Sequence, residues 1–367
     1  MINTKKKLMF VITSMAGGGA EKVVVDIVNF LDPDKYDISL ALFEKKGPYL
    51  NYLPKYVKIY DLNKKSRCSF IKLVLHLAIL FRKIKPDTVI SFMNYSNLIS
   101  IISKILTGRK IRLVISVHIH LSSALRHYRF AGIKNYTYRR PLFNCVNSCF
   151  VPSEGVRRDL ISSFGISEDK IKVVHNPINL SRIDKLKNEK FELLFGKYII
   201  AAGRLTHQKG YANLIRAYSL ICDEIEEKLV ILGEGEQEKE LKELTKLLGI
   251  EKRVSFLGFQ ENPYKYMKNA SSFVLSSLFE SFAIVIVEAM ACGTPVIATD
   301  CPSGPGEIIT DGINGILVPP GDEKALADAM LGLLKKPSLM RKYSEAGIKR
   351  AENFSIEKIL PEYEALF

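Results

Sequence analysis

Ser277-Leu278-Phe279-Glu280-Ser281-Phe282-Ala283-Ile284-Val285-Ile286-Val287-Glu288-Ala289-Met290-Ala291-Cys292-Gly293-Thr294-Pro295-Val296-Ile297-Ala298 decides the fold. The short β-branched run Ser272-Phe273-Val274-Leu275 precedes it and Pro295-Val296-Ile297-Ala298 closes it, so the order reads strand, helix, Gly-Thr-Pro turn, strand. That order is a βαβ unit. With Glu280 just before the first helical turn, Glu288 lies two turns on, within about 80° of the same face and on the order of 12 Å away. A glycosidase acid/base pair sits roughly 5 to 9.5 Å apart, so the spacing suits an elongated ligand held at both ends. The amides of Phe282, Ala283 and Ile284 are expected to open the helix unpaired with the dipole behind them, which makes an anion site fit for a phosphate. From the spacing alone, a buried helix with two solvated acids reads equally well.

Three other motifs accompany this stretch: Gly17-Gly18-Gly19-Ala20-Glu21, Gly203-Arg204-Leu205-Thr206-His207-Gln208-Lys209-Gly210 and Gly233-Glu234-Gly235. Together with Glu, seven residues, Glu and then Ala-Met-Ala-Cys-Gly-Thr-Pro-Val, they give a chain that resembles the retaining glycosyltransferases of family 4 over nearly its whole length. The resemblance implies the α/β GT-B fold, two Rossmann-like domains facing across a cleft. It implies an acceptor-binding domain over residues 1–180, a linker over 181–196 where the cleft opens, and a nucleotide-sugar-binding domain over 197–352. Residues 353–367 then form a helix that packs back on the first domain.

Composition bounds the reading independently. At 367 residues the chain exceeds what one core supports, and its 47% hydrophobic and 25% charged content is that of a soluble globular protein. No run approaches the roughly 18 uninterrupted apolar residues of a membrane span, so the chain is expected to be neither exported nor embedded. Six cysteines, at 68, 145, 149, 222, 292 and 301, form no Cys-x-x-Cys pair and have no His at metal spacing, which reads as reduced thiols and no metal. Charge is unevenly placed: residues 1–150 hold 25 Lys and Arg against 8 Asp and Glu, a balance of +17, and the remainder balances at −3. The first half therefore expects an anionic partner: nucleic acid, acidic lipid headgroups or a pyrophosphate-linked acceptor.

Along that half, residues 8–13 read as a buried strand and Ser14-Met15-Ala16-Gly17-Gly18-Gly19 as a glycine turn opening a helix over 20–30. The turn lacks both the G-x-G-x-x-G spacing and the Gly-Lys-Ser/Thr of a P-loop. The helix over 70–85 is strongly apolar yet carries Lys72, Arg82, Lys83 and Lys85. It permits two accounts, a core helix packed on the sheet or a helix lying in a lipid interface. Residues 112–118 form a strand ending in His118 at the carboxyl edge, where open α/β sheets bind ligands. The segment resembles the family's strand–His element, which implies a substrate or transition-state contact for His118, with His120 the less favoured neighbour. Residues 121–146 interleave Arg126, Tyr128, Arg129, Phe130 and Arg139 with other aromatic and basic groups. That mixture fits a membrane interface or a phosphate-bearing acceptor; no RNA or DNA module signature accompanies it, so no nucleic-acid partner is expected.

The resemblance assigns roles by position. Arg204 and Lys209 take the diphosphate, one as a bidentate fork and the other as a point charge; the alternative is two exposed surface cations. Glu288 takes ribose hydroxyls, Glu280 takes hydroxyls of the transferred sugar, and the backbone of Ser281, Phe282, Ala283 and Ile284 reinforces the diphosphate contact. Gly18, Gly19, Gly233, Gly258 and Phe259 complete the donor site, the last two beside the nucleobase. Gly17, Gly18, His118, Arg126 and Arg129 form the acceptor side, and His118, Arg204, Lys209 and Glu280 are the catalytic set. Charge building on the departing diphosphate is met by fixed cations and amides. Its leaving oxygen takes the acceptor's proton on the same face, the family's proposed route to retention, so neither metal nor cofactor is expected.

The implied reaction moves a hexose or N-acetylhexosamine from a nucleotide sugar, UDP-linked, to a saccharide or lipid-diphosphate-linked acceptor. The turn Cys301-Pro302-Ser303-Gly304-Pro305 resembles bacterial members that build capsule, O-antigen or lipid-linked oligosaccharides, which places the expected protein in the cytoplasm, peripheral on an anionic membrane surface at its inner face. One departure stands out: relatives commonly read Glu-Gly-Phe-Gly where this chain has Glu280-Ser281-Phe282-Ala283. A GT-B epimerase or phosphorylase, a non-catalytic basic membrane scaffold and a nucleic-acid binder stay open as other readings.

Overall fold

The computed structural model describes residues 5–64, 69–127, 140–190 and 196–367, without the side chains of 127, 140 and 141. The chain divides into two compact units, one of Met1–Pro177 with Ile356–Phe367 and the other of Ile178–Ser355. Both are parallel sheets covered by helices, which is why their strands read as continuous apolar runs and not as alternating ones.

In the first unit the strands are β1 (Lys6–Ile12), β2 (Tyr36–Leu42), β3 (Lys58–Asp61), β4 (Thr88–Phe92), β5 (Arg112–Ser116), β6 (Ser148–Val151) and β7 (Ile171–Val173). Their order is β3-β2-β1-β4-β5-β6-β7, with every pairing parallel. The order reverses between β1 and β4, and ligands of such sheets bind beyond the carboxyl ends of strands at that switch point. The helix Phe70–Ile84 buries Leu73, Val74, Leu77, Ala78, Leu80 and Phe81 against this sheet's core. Its opposite side faces outward, so the core-helix account holds for one half of its circumference.

The last segment completes this unit. Phe367 packs edge-on against Phe10 and Tyr36, with centroids 6.3 and 5.9 Å apart, and Tyr363 packs edge-on against Phe150 at 5.3 Å. Arg112 Nε donates to the carbonyl of Leu366 at 2.8 Å. Burial and the carboxylate of Glu364 push the Tyr36 phenol up to about 12.

The second unit has β8 (Tyr198–Ala202), β9 (Lys228–Leu232), β10 (Val254–Phe256), β11 (Ser272–Leu275), β12 (Val296–Thr299) and β13 (Ile316–Val318). They are ordered β10-β9-β8-β11-β12-β13, again all parallel, with the switch point between β8 and β11. One expectation needs correction. The polar stretch 181–196 is not simply a linker, because Leu180–Leu186 is a helix of the second unit, capped by Asn179 Oδ1 accepting from the Arg182 amide at 2.9 Å. Residues 311–318 make an isolated bridge, Asp311 with Gly315, and then a strand parallel to β12. Among the described residues no helix is long and apolar enough to cross a membrane.

Tyr363 is fully buried at the seam between the returning segment and the sheet. Tyr363→Ala should lower stability by about 3 to 5 kcal/mol, read as a shift in the urea midpoint followed by far-UV circular dichroism.

Candidate functional site

The carboxyl edge of the second sheet gathers five loops, those after β8, β9, β10, β11 and β12. At the switch point β8 and β11 are hydrogen-bonded neighbours, paired at Ser272↔Ile199 and Phe273↔Ile200, so the loop carrying Lys209 meets the loop carrying Glu280. Gly210 holds a φ of 62°, and a Cβ there would overlap the carbonyl oxygen of Ser276. Close approach is fixed by Ser276 Oγ donating to the Lys209 carbonyl at 2.9 Å, and by the Leu278 amide donating to the Gln208 carbonyl at 2.8 Å. Gly233 does the same for the next loop: its φ is 125°, and a Cβ would overlap the carbonyl oxygen of Gly203.

Lys209 Nζ lies 2.5 Å from Glu280 Oε1, and both side chains are largely buried. Ser277 Oγ donates to the same carboxylate oxygen at 2.7 Å, and Ser303 Oγ donates to the Glu280 carbonyl at 2.5 Å. Buried pairs hold only when both charges are present, because either one alone is left desolvated. Burial raises the Tyr211 phenol and the Cys301 thiol, and the Glu280 charge adds to both shifts. Arg204, on the same loop as Lys209, is exposed, and among the described residues no hydrogen bond or ion pair engages its guanidinium.

The helix after β11 starts later than its sequence predicts. It runs Ile284–Ala291, and Ala283 caps it in the left-handed region at φ 66°. Glu280 therefore stands in the preceding loop and not at the helix tip, so the helical spacing between Glu280 and Glu288 does not apply. The first-turn amides without an intrahelical partner are those of Ile284 and Val285, because the Ile286 amide bonds the Ala283 carbonyl at 2.9 Å. The amide of Phe282 lies before this helix and not in its first turn, and its side chain is fully buried against Phe354, centroids 5.4 Å apart. Glu288 is buried and accepts from Tyr264 Oη at 3.1 Å. Gly258, at φ 68°, and the exposed Phe259 follow β10, where the Phe259 amide reaches Glu234 Oε1 at 3.4 Å.

In the first unit, Gly17, Gly18 and Gly19 follow β1 and His118 follows β5, on the same carboxyl edge, with β4 between. Gly17 takes φ 100°, Gly18 is the N-cap, and Gly19 is already the first residue of the helix Gly19–Phe30. Met93, just after β4, is held at φ 74°. His118 stacks on Phe92 at 5.5 Å and 17°, edge-on to Phe150 at 6.3 Å. Its Nε2 is buried with no partner among the described residues, and burial pushes the imidazole down to about 4. His120 is tethered instead, with Nδ1 2.9 Å from Ser123 Oγ and 3.7 Å from the Asp159 carboxylate. Its pKa is lowered by burial and by Arg126, against the opposing pull of Asp159. Arg126 is exposed on the helix Leu121–His127, while Arg129 and most of the basic, aromatic segment lie outside the described residues.

Residues 17–182 match the Glycosyltransferase Family 4 model and residues 184–350 the Glycosyl transferases group 1 model. A Campylobacter jejuni N-acetylgalactosamine-N,N'-diacetylbacillosaminyl-diphospho-undecaprenol 4-alpha-N-acetylgalactosaminyltransferase is 33% identical over 361 residues, covering 96% of this chain and 97% of its own. The chain belongs to this family of glycosyltransferases. A Staphylococcus aureus capsular polysaccharide biosynthesis glycosyltransferase is 28% identical, with 82% of this chain and 81% of that one covered. In fold, Anabaena HepE in complex with UDP and glucose matches at a TM-score of 0.81 and 22% identity, over 98% of both chains. This glycosyltransferase is therefore of the GT-B type, as its sequence motifs imply.

Sequence reading missed the groups that hold the acids. Ser277, three residues before Glu280, was visible in the motif as a hydroxyl within reach. Tyr264 is 24 residues from Glu288 and Ser303 is 23 from Glu280, and no local pattern announces either.

Two outcomes follow from this geometry. Ala283 carries a side chain at a positive φ, so Ala283→Gly should stabilise the glycosyltransferase by about 0.5 to 1 kcal/mol, the left-handed strain relieved less the added freedom of the unfolded chain; calorimetry or urea titration reads it. His118 titrates near 6.5 when unfolded and near 4 when folded, so between those values only the unfolded chain holds the proton. Its contribution to stability is complete above about pH 6.5 and falls as pH drops toward 4, by up to about 3 kcal/mol. The stability difference between wild type and His118→Gln should shrink by that amount from about pH 7 to about pH 4.

Proposed function

We propose that this glycosyltransferase moves a hexose or N-acetylhexosamine from a UDP-sugar to a lipid-diphosphate-linked saccharide, with retention, in the building of bacterial surface polysaccharide. The observation that carries the reading is the meeting of Lys209 and Glu280 at the switch point of the second sheet, with the unengaged Arg204 on the same loop. Arg204 and Lys209 take the diphosphate, Lys209 while still paired with Glu280, whose Oε1 it shares with Ser277 and whose other carboxylate oxygen takes the sugar hydroxyls. Glu288, oriented by Tyr264, takes the ribose. On the first unit, the neutral His118 is a substrate contact within an acceptor region that includes Gly17 and Arg126.

In the transfer, the bond from the anomeric carbon to the phosphate oxygen breaks and the acceptor oxygen bonds the same carbon. The departing phosphate oxygen receives the acceptor's proton on the same face. Negative charge grows on UDP as this happens, so cations fixed beforehand stabilise the transition state more than the bound donor. The names of the relatives support both ends of the reaction: a diphospho-undecaprenol acceptor in one, capsular polysaccharide in another and, in HepE, a complex with UDP and glucose.

A thermal-shift screen of UDP-, GDP- and dTDP-sugars should raise the melting temperature with the UDP series alone. Arg204→Ala and Lys209→Ala should each lower turnover by about 2 to 4 kcal/mol in barrier, roughly 30- to 1,000-fold. Wild-type rates in either variant would refute the diphosphate assignment, and UDP-sugar consumption without an acceptor would point to an epimerase.

A further inference from the structure

We propose that the outward face of the Phe70–Ile84 helix, joined by the carboxyl end of the Asn94–Thr107 helix, docks on an anionic lipid surface. Ile71, Leu75 and Ile79 are 70%, 49% and 59% exposed. Their spacing of four puts them on one stripe of the helix, opposite the buried set that anchors it. A helix on the surface of a soluble domain normally turns polar groups outward, and a continuous exposed apolar strip marks an interaction site. Arg82 on the same face donates to the Leu106 carbonyl at 2.9 Å. That bond brings the exposed Ile105 and Leu106 of the second helix to the margin of the stripe.

Charge selects the partner. Neither helix contains an Asp or Glu, and residues 62–111 hold ten Lys and Arg against the single acid Asp87. Lys72, Arg82 and Lys83 are exposed on the outward half of the first helix, and Arg109 and Lys110 follow the end of the second. Aliphatic groups that insert shallowly, flanked by cations that meet headgroup phosphates, are the two components of reversible interfacial binding. A second copy of the chain is disfavoured as occupant, because two such faces repel one another. With the inner half of the helix committed to the core, only a few side chains enter the lipid, so binding is salt-sensitive.

This deepens the proposed function by naming where the glycosyltransferase meets the membrane that carries its acceptor, and it rests on that reading only for the choice of partner. The test is vesicle co-flotation of the full chain without donor or acceptor, using phosphatidylglycerol-containing and pure phosphatidylcholine vesicles. Wild type should float with the anionic vesicles at low salt and be released at high salt. The triple variant Ile71→Ser, Leu75→Ser, Ile79→Ser, and separately Lys72→Glu with Lys83→Glu, should bind about tenfold or more weakly, with unchanged circular dichroism and unchanged turnover on a water-soluble acceptor. Equal flotation of wild type and both variants would overturn the proposal, as would no flotation of wild type. A wild-type dimer in light scattering that the triple Ser variant makes monomeric would overturn it too, by assigning the stripe to a second copy. Failure of the proposed reaction would leave flotation untouched, so the two readings fail separately.

Discussion

The second unit depends on β8 and β11 lying side by side while their crossovers leave in opposite directions. That arrangement brings together two loops 71 residues apart in the chain and puts a lysine and a glutamate in one buried contact. Neither charge is tolerable there without the other, so the loops are held at one separation even before a ligand arrives. The glycines at 210 and 233 serve the same constraint from the backbone side, since a side chain at either would push neighbouring loops apart.

The first unit uses the same plan with different contents. Its switch point has a glycine turn after β1, a strained Met93 after β4 and a neutral histidine in an aromatic wall after β5. Strain at a single non-glycine residue persists only where surrounding structure over-determines it, and such residues cluster at functional edges. One sheet edge thus presents fixed charge, and the other presents glycine backbone and a buried, uncharged ring.

The alternation of strand, turn and helix was legible because strands buried on both faces are short apolar runs and the turns between them are rich in glycine. The GT-B family was legible for the same reason, four motifs standing at successive sheet edges. The start of the helix at Ile284 was not, because nothing in an alanine announces that Ala283 will take a positive φ and delay the first turn. The burial of the Phe282 side chain was not legible either, because it depends on Phe354, 72 residues away in sequence. The Leu180–Leu186 helix hid in polar composition although its Asn cap was in view. The two accounts of the helix over 70–85 describe its two faces, one core and one exposed, which composition averages together.

The return of Ile356–Phe367 to the first unit has a consequence for synthesis. Residues 178–355 leave the ribosome as a complete, continuous stretch, while the earlier-made sheet still lacks the aromatic side chains that cover Phe10 and Phe150. Domains ordinarily mature in the order they emerge; here the half made first is the half finished last, and its uncovered rings are what a nascent-chain chaperone would meet.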